Sequence, residues 1–196
     1  MNKPYRVLHI IDHLGTGGAQ EVVCQLVKYC DQELFQPEVL TLHGYGHYWE
    51  VLRELGVPVH SLVPHDNAVA ALPLIGSKLA FFLATRPYDL VHTHLPGATA
   101  LAIPLAALCR VPVRITHDQN HDDTRDRSCL HRWPDILANR LNHHIIAGST
   151  SIRAFLLAKE KVPAAKVTVI HNAVDLAELA PETSPELRQE WRRAWD

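Results

Sequence analysis

The sequence predicts an α/β protein with a doubly wound parallel sheet and helices on both faces. Seven short runs rich in β-branched residues recur along the 196 residues, and six stretches of helical apolar spacing lie between them. Several of the strands are apolar on both faces, as a sheet covered from both sides requires. Regular alternation of the two kinds of element is what such a sheet looks like in one dimension.

The first strand spans 5–11 (YRVLHII) and runs into Asp12-His13 and a turn bearing Gly15, Gly17 and Gly18. A helix over about 18–31 follows, then strand 37–43 (PEVLTLH), helix 47–55 and strand 57–62. The apolar stretch 69–86 reads as a helix leading to strand 89–93. Pro96 suits the start of a helix over 97–109, because its missing N–H has no intrahelical partner there. Strand 112–116 and helix 130–142 come next. Strand 144–148 precedes Ser149-Thr150-Ser151, whose hydroxyls can cap a helix over 149–161, and the last strand is 166–170.

Residues 1–178 thus form one Rossmann-like domain. The tail, 179–196, is polar and proline-bearing, with Leu187, Trp191 and Trp195 sharing one helical face. It reads as a linker helix toward an absent second domain. Its two tryptophans want a partner surface, so self-association is a further expectation.

Bulk properties narrow the function. At 47% hydrophobic and 20% charged, with net charge −2 and scattered Lys and Arg, the chain shows no stripe for nucleic acid. Cys24, Cys30, Cys109 and Cys129 form no CxxC pair and sit mostly in apolar segments, as reduced cytoplasmic thiols do. Met-Asn-Lys-Pro leads directly into a strand with no signal peptide. The greasiest region, 68–84, is broken by Pro73, Gly76, Ser77 and Lys78, and a span needs about 20 apolar residues. It reads as a partly buried helix, with peripheral contact at the inner face of a membrane left open.

The glycine turn reads G-T-G-G-A. A dinucleotide fingerprint would need G-x-G-x-x-G and an acid ending the second strand, but that strand ends Thr41-Leu42-His43. A nucleotide-hydrolase loop would need Lys-Ser or Lys-Thr after the glycines, and neither follows. What remains is a close approach of backbone to ligand, with the amides near Ala19 facing negative charge. The plainer alternative is a tight turn that needs positive φ.

Histidines cluster where strands end: His92 and His94, His117 and His121, and His171. Carboxyl ends of parallel strands share one edge, so His94, His117 and the glycine turn should face a common cleft. His92-x-His94 with His121-Asp122-Asp123 offers metal ligands, yet the spacing matches no established zinc pattern, and no metal is expected. Neutral imidazoles that hydrogen-bond substrate hydroxyls fit better.

"VLHIIDHLGTGGAQEVVCQLV", "DLVHTHLPGATALAIPLA", "VPVRITHDQNHDD" and "IIAGSTSIRAFL…KVTVIHNAVDL" together resemble the N-terminal half of a family 4 glycosyltransferase, a retaining enzyme of the GT-B fold. The resemblance runs in register from about residue 5 to 178. It implies an acceptor-side domain facing a donor-binding domain across a cleft, and no cofactor. The Gly15, Gly17 and Gly18 turn would meet the donor diphosphate of a UDP- or GDP-sugar. His117 would be the catalytic histidine against the transferred sugar. His94, Asp118 and Asn172 would serve the sugar or a saccharide or lipid-linked acceptor, with loop 121–123 a further candidate whose plainer reading is a solvated loop. Asn172 and Asp175 match a P-N-G-V-D-like element, here His171-Asn172-Ala173-Val174-Asp175, where loss of Pro and Gly argues against a positive-φ turn. Charged donor-holding residues of the second domain are missing, so the chain is expected to be inactive alone. Alternatives are a stand-alone saccharide-binding or partner-docking module, a metal-dependent hydrolase, and a sugar-nucleotide epimerase, which shares the GT-B architecture.

Overall fold

The computed structural model describes residues 3–64, 72–119, 129–173, 175 and 185–195. In chain order they form β1 (Tyr5–Ile11), α1 (Gly18–Lys28), β2 (Phe35–Thr41), α2 (His47–Glu54), β3 (Val59–Ser61), α3 (Leu72–Thr85), β4 (Leu90–His94), α4 (Pro96–Leu108), β5 (Val113–Asp118), α5 (Cys129–Leu141), β6 (His144–Ala147), α6 (Thr150–Ala158), β7 (Val167–Val169) and α7 (Pro185–Trp195). Each predicted strand and helix is present, with ends shifted by a few residues. The second strand begins earlier than predicted, at Phe35, and includes Pro37. Pro37 pairs with Val7 of β1, while β3 joins β2 only from Val39 onward, so the missing N–H disrupts no ladder on that side.

All seven strands are parallel, in the order β3-β2-β1-β4-β5-β6-β7. Side-chain alternation divides the core. Leu8, Ile10 and Leu40 pack with Ile75 and Leu79 of α3 and Ala102 of α4 on one face. Ile11 and Val39 pack with Val23 and Val27 of α1 and Leu52 of α2 on the other. A third cluster joins Ile145 and Val167 to Ile152 and Leu156 of α6. Each such side chain, fully buried, contributes roughly 1.5–3 kcal/mol. Ser149 Oγ accepts from Ile152 N at 3.2 Å, capping α6 as predicted. Among the described residues no helix is long and apolar enough to cross a membrane.

On the face that carries Leu8 and Leu40, one buried carboxylate ties β1, β2, β3 and the segment before β4 together. Glu38 accepts from Arg6 at 2.7 Å and Tyr88 at 2.7 Å, and meets His60 at 3.2 Å. Burial alone would raise its pKa, but bonds from Arg6, Tyr88 and His60 hold it below the usual carboxylate value. Arg6 also stacks 4.7 Å from the Tyr88 ring centre, and its backbone N–H bonds Asp89 at 2.8 Å. Glu38→Ala leaves Arg6 and Tyr88 without their shared acceptor and should cost about 2–4 kcal/mol, read as a lower urea midpoint at unchanged m-value.

Candidate functional site

The order of strands reverses direction between β1 and β4: α1 leaves toward one face of the sheet and α4 lies on the other. In such sheets the crevice beyond the carboxyl ends at this switch point takes ligands. Two helix N-termini open there, and they are finished differently.

At α4 the vacancy is filled by protein. Leu95 holds a left-handed backbone, φ 69°, unusual for a branched side chain, and Pro96 takes the first turn. The carboxylate of Asp12, just past β1, accepts the Ala98 N–H in a short hydrogen bond. A Cβ on Gly97 would lie 2.7 Å from an Asp12 oxygen, so glycine there is what admits the carboxylate. Burial raises the Asp12 pKa, and the Ala98 bond and nearby His13 oppose it.

At α1 no side chain caps the first turn. His13 Nδ1 instead accepts from Gly15 N at 3.1 Å, and Gln20 donates to the His13 carbonyl at 3.3 Å, bracing the turn from within. A Cβ on Gly17 would meet Gln20 Oε1 at 2.5 Å, whereas one on Gly18 would meet nothing within 4 Å. None of the three predicted glycines has a left-handed φ; that conformation falls to Gly44, Gly46 and Gly56. The positive-φ alternative is therefore corrected. Gly46 (φ 152°) is the demanding position, because its Cβ would stand 2.3 Å from the Leu14 carbonyl oxygen.

Beside the switch point lies a layer of imidazoles. His9 pairs with His92 in register, and His94 with His117, so β1, β4 and β5 set four rings on one face of the sheet. That face is the one Ile11 and Val39 turn toward α1. Ring centres are 5.1 Å apart for His9–His92, 4.3 Å for His92–His94 and 6.0 Å for His94–His117. Burial pushes the His9 pKa down to about 4 and holds His92 and His94 well below the ordinary value. It lowers His117 too, against the opposing charge of Asp118. All four are neutral at pH 7.

His94 was expected to face an open cleft, but it has no exposed surface. Strand pairing on both sides and the rings of His9 and His92 enclose it. His117 reaches the wall of a cavity of about 720 Å³, between α1 (Val22, Leu26) with Tyr29 just past its end and the segment holding Ile170 and Asn172. Both of its ring nitrogens are buried without a hydrogen-bond partner. Asp118 is buried next to it, its carbonyl accepting from Gly148 at 2.9 Å, and Asn172 donates to Gln119 at 3.4 Å. Asp175 is held by Tyr29 through a short hydrogen bond and lies 3.7 Å from Lys28 Nζ, tying the exit of the fold to α1. Ala173 has no positive φ, in line with its side chain. Residues 121–123 lie outside the described residues.

The glycosyltransferase family 4 model matches residues 16–178. The chain belongs to that family. EpsF, a putative glycosyltransferase of Bacillus subtilis, is 26% identical over 184 residues, 90% of this chain and 47% of EpsF. An Escherichia coli UDP-Gal:alpha-D-GlcNAc-diphosphoundecaprenol alpha-1,3-galactosyltransferase is 29% identical over 103 residues, 50% of this chain and 27% of that enzyme. HepE of Anabaena, solved with UDP, superposes with a TM-score of 0.74 at 20% identity over 95% of this chain and 50% of its own. This family 4 domain therefore spans about half the length of its relatives, or less, and its Rossmann-like sheet is half of a GT-B architecture.

Sequence reasoning missed Asp12 and His9 at this edge of the sheet. Either could have been found by asking which strand neighbours β4, since both gain their partners only through the β1–β4 pairing. The buried layer also gives a pH signature. Its histidines have folded pKa values below the unfolded value near 6.5, so below that pH the unfolded chain binds more protons. Stability should be complete above about pH 6.5 and fall as pH drops toward 4, by up to about 1.4 kcal/mol per pH unit for each buried ring. Urea midpoints of chelator-treated protein across that range check this, and His9→Gln should flatten the curve.

Proposed function

We propose that this family 4 domain is the acceptor-side half of a retaining glycosyltransferase, moving a sugar from a nucleotide-sugar donor to a saccharide or lipid-linked acceptor. The observation that carries the reading is His117: a neutral, buried imidazole with two unpartnered nitrogens on the wall of the large cavity. Its nitrogens are covered in this conformation; turned toward the cavity, the ring can donate to one hydroxyl and accept from another, fixing a sugar without itself becoming charged. Asp118 and Asn172 flank it toward the acceptor. His94, lacking exposed surface, supports His117 from behind in this reading and does not touch the ligand.

The Gly15–Gly18 turn takes the donor diphosphate. Its amides open an uncapped helix end, and Gly18 leaves the space in front of them clear. Departure of the diphosphate on the face that the acceptor attacks needs stabilised negative charge more than a protein nucleophile, and these amides meet that need. The names of two relatives, one a lipid-diphosphate galactosyltransferase and one solved with UDP, support a uridine nucleotide and a lipid-linked acceptor. Exposed Leu72, Leu74 and Phe81 of α3 suit peripheral contact with the lipid surface that would carry such an acceptor. Helix α7, with Trp191 exposed, is assigned as the linker to the donor-binding domain.

Calorimetric titration of UDP- and GDP-sugars tests the split site. The chain alone should neither bind them tightly nor turn them over, and both properties should appear once a C-terminal donor domain is supplied. In that reconstituted protein His117→Ala should lower kcat roughly 100-fold or more. Gly18→Ala should leave stability within about 0.5 kcal/mol, since its Cβ meets nothing, while weakening donor binding. Tight nucleotide-sugar binding by residues 1–196 alone would count against the reading, and saccharide binding without turnover after reconstitution would make this a binding module.

A further inference from the structure

His9, His92 and His94 form the tightest group of ligating side chains among the described residues. One ring nitrogen from each lies within 4.8 Å of the others, and all three residues are buried. The His9 Nδ1 to His94 Nε2 separation is 3.2 Å. One hydrogen bond accounts for that contact but not for the rest: His92 Nε2 and His94 Nδ1 are buried with no partner. Unpaired polar atoms are uncommon in native interiors, and the orphaned His92 Nε2, in a group whose ring nitrogens lie within 4.8 Å of one another, calls for a guest. No carboxylate belongs to the group, so its chemistry is that of neutral imidazole donors alone.

We propose that His9, His92 and His94 bind a borderline transition-metal ion of the Zn²⁺ type through three imidazole nitrogens, with a water in the fourth position. A tetrahedral ion with bonds of about 2.0–2.1 Å sets its ligand nitrogens about 3.3 Å apart, close to the His9–His94 separation. Small rotations of His92 close the remaining gap. Hard cations such as Mg²⁺ and Ca²⁺ prefer oxygen and are poor guests here. Paired strands hold the ligands: β1 supplies His9, and β4 supplies His92 and His94 two residues apart on the same face. Linear spacing offered His92 and His94 with His121, Asp122 and Asp123; the proposed site keeps His92 and His94 and takes its third ligand, His9, from the adjacent strand. Because it is closed to solvent, the ion would enter during folding or through local opening.

The test strips the 196-residue chain with chelator and refolds it with Zn²⁺ or Co²⁺, then measures metal by mass spectrometry after gel filtration. About one equivalent per chain should be retained, with visible d–d bands of a tetrahedral Co²⁺ complex. Saturating Zn²⁺ should raise Tm by roughly 5–10 °C. His92→Gln and, separately, His9→Gln should each reduce retained metal to below about a fifth of an equivalent, with far-UV circular dichroism unchanged. His43→Gln, at a histidine outside the trio, should leave retention as it was. No retained metal after refolding would overturn the proposal, and so would retention that survives both trio variants. A trio variant that loses its circular dichroism is replaced by paramagnetic NMR of the Co²⁺ form, where the His9, His92 and His94 ring protons must carry the contact shifts.

Discussion

The Asp12 carboxylate on the first turn of α4 is the contact on which the ligand edge depends. It joins β1 to the helix that follows its neighbour β4, at the place where the winding of the sheet reverses. An acid there satisfies an orphan amide and meets the positive end of the helix dipole. It requires glycine at 97 and accompanies the left-handed turn at Leu95. With α4 finished by protein and α1 lacking a side-chain cap, the glycine turn is where the anionic ligand is proposed to bind.

The second organising feature is the neutrality of the histidine layer. A charged imidazole stacked on three others in the core would carry a desolvation cost and mutual repulsion, so the rings stay deprotonated. Neutral rings pack as flat, weakly polar plates against α1, yet they keep lone pairs. That combination lets one element serve the core at His9 and His94 and the cavity wall at His117. Glu38, on the other face of the sheet, solves the opposite problem by keeping its charge and surrounding it with donors. The sheet thus has a charged, satisfied cluster on one face and a neutral, partly unsatisfied layer on the other, and the second is where ligand chemistry is proposed.

Much of the fold was legible from local pattern. Strand and helix identity follow from the periodicity of apolar residues over a few turns, and Pro96 and Ser149 act through their own backbones. Element ends were less legible, as at Phe35 and Pro37, because there pairing with a neighbouring strand outweighs local preference. Family membership was legible for a related reason: the match extends over residues 16–178, in the order of the elements.

What the sequence by itself determined is therefore the alternating α/β plan, the family, and the gathering of glycine and histidine at strand ends. Only the tertiary structure decided which of those residues touch. His9 and Asp12 acquired their meaning from β4 lying beside β1, some eighty residues away in the chain. The same packing removed His94 from solvent and left His117 at the cavity wall. Periodicity records which face a side chain occupies, whereas partnership and exposure depend on which strand and helix come to lie against that face, a property of the assembled sheet.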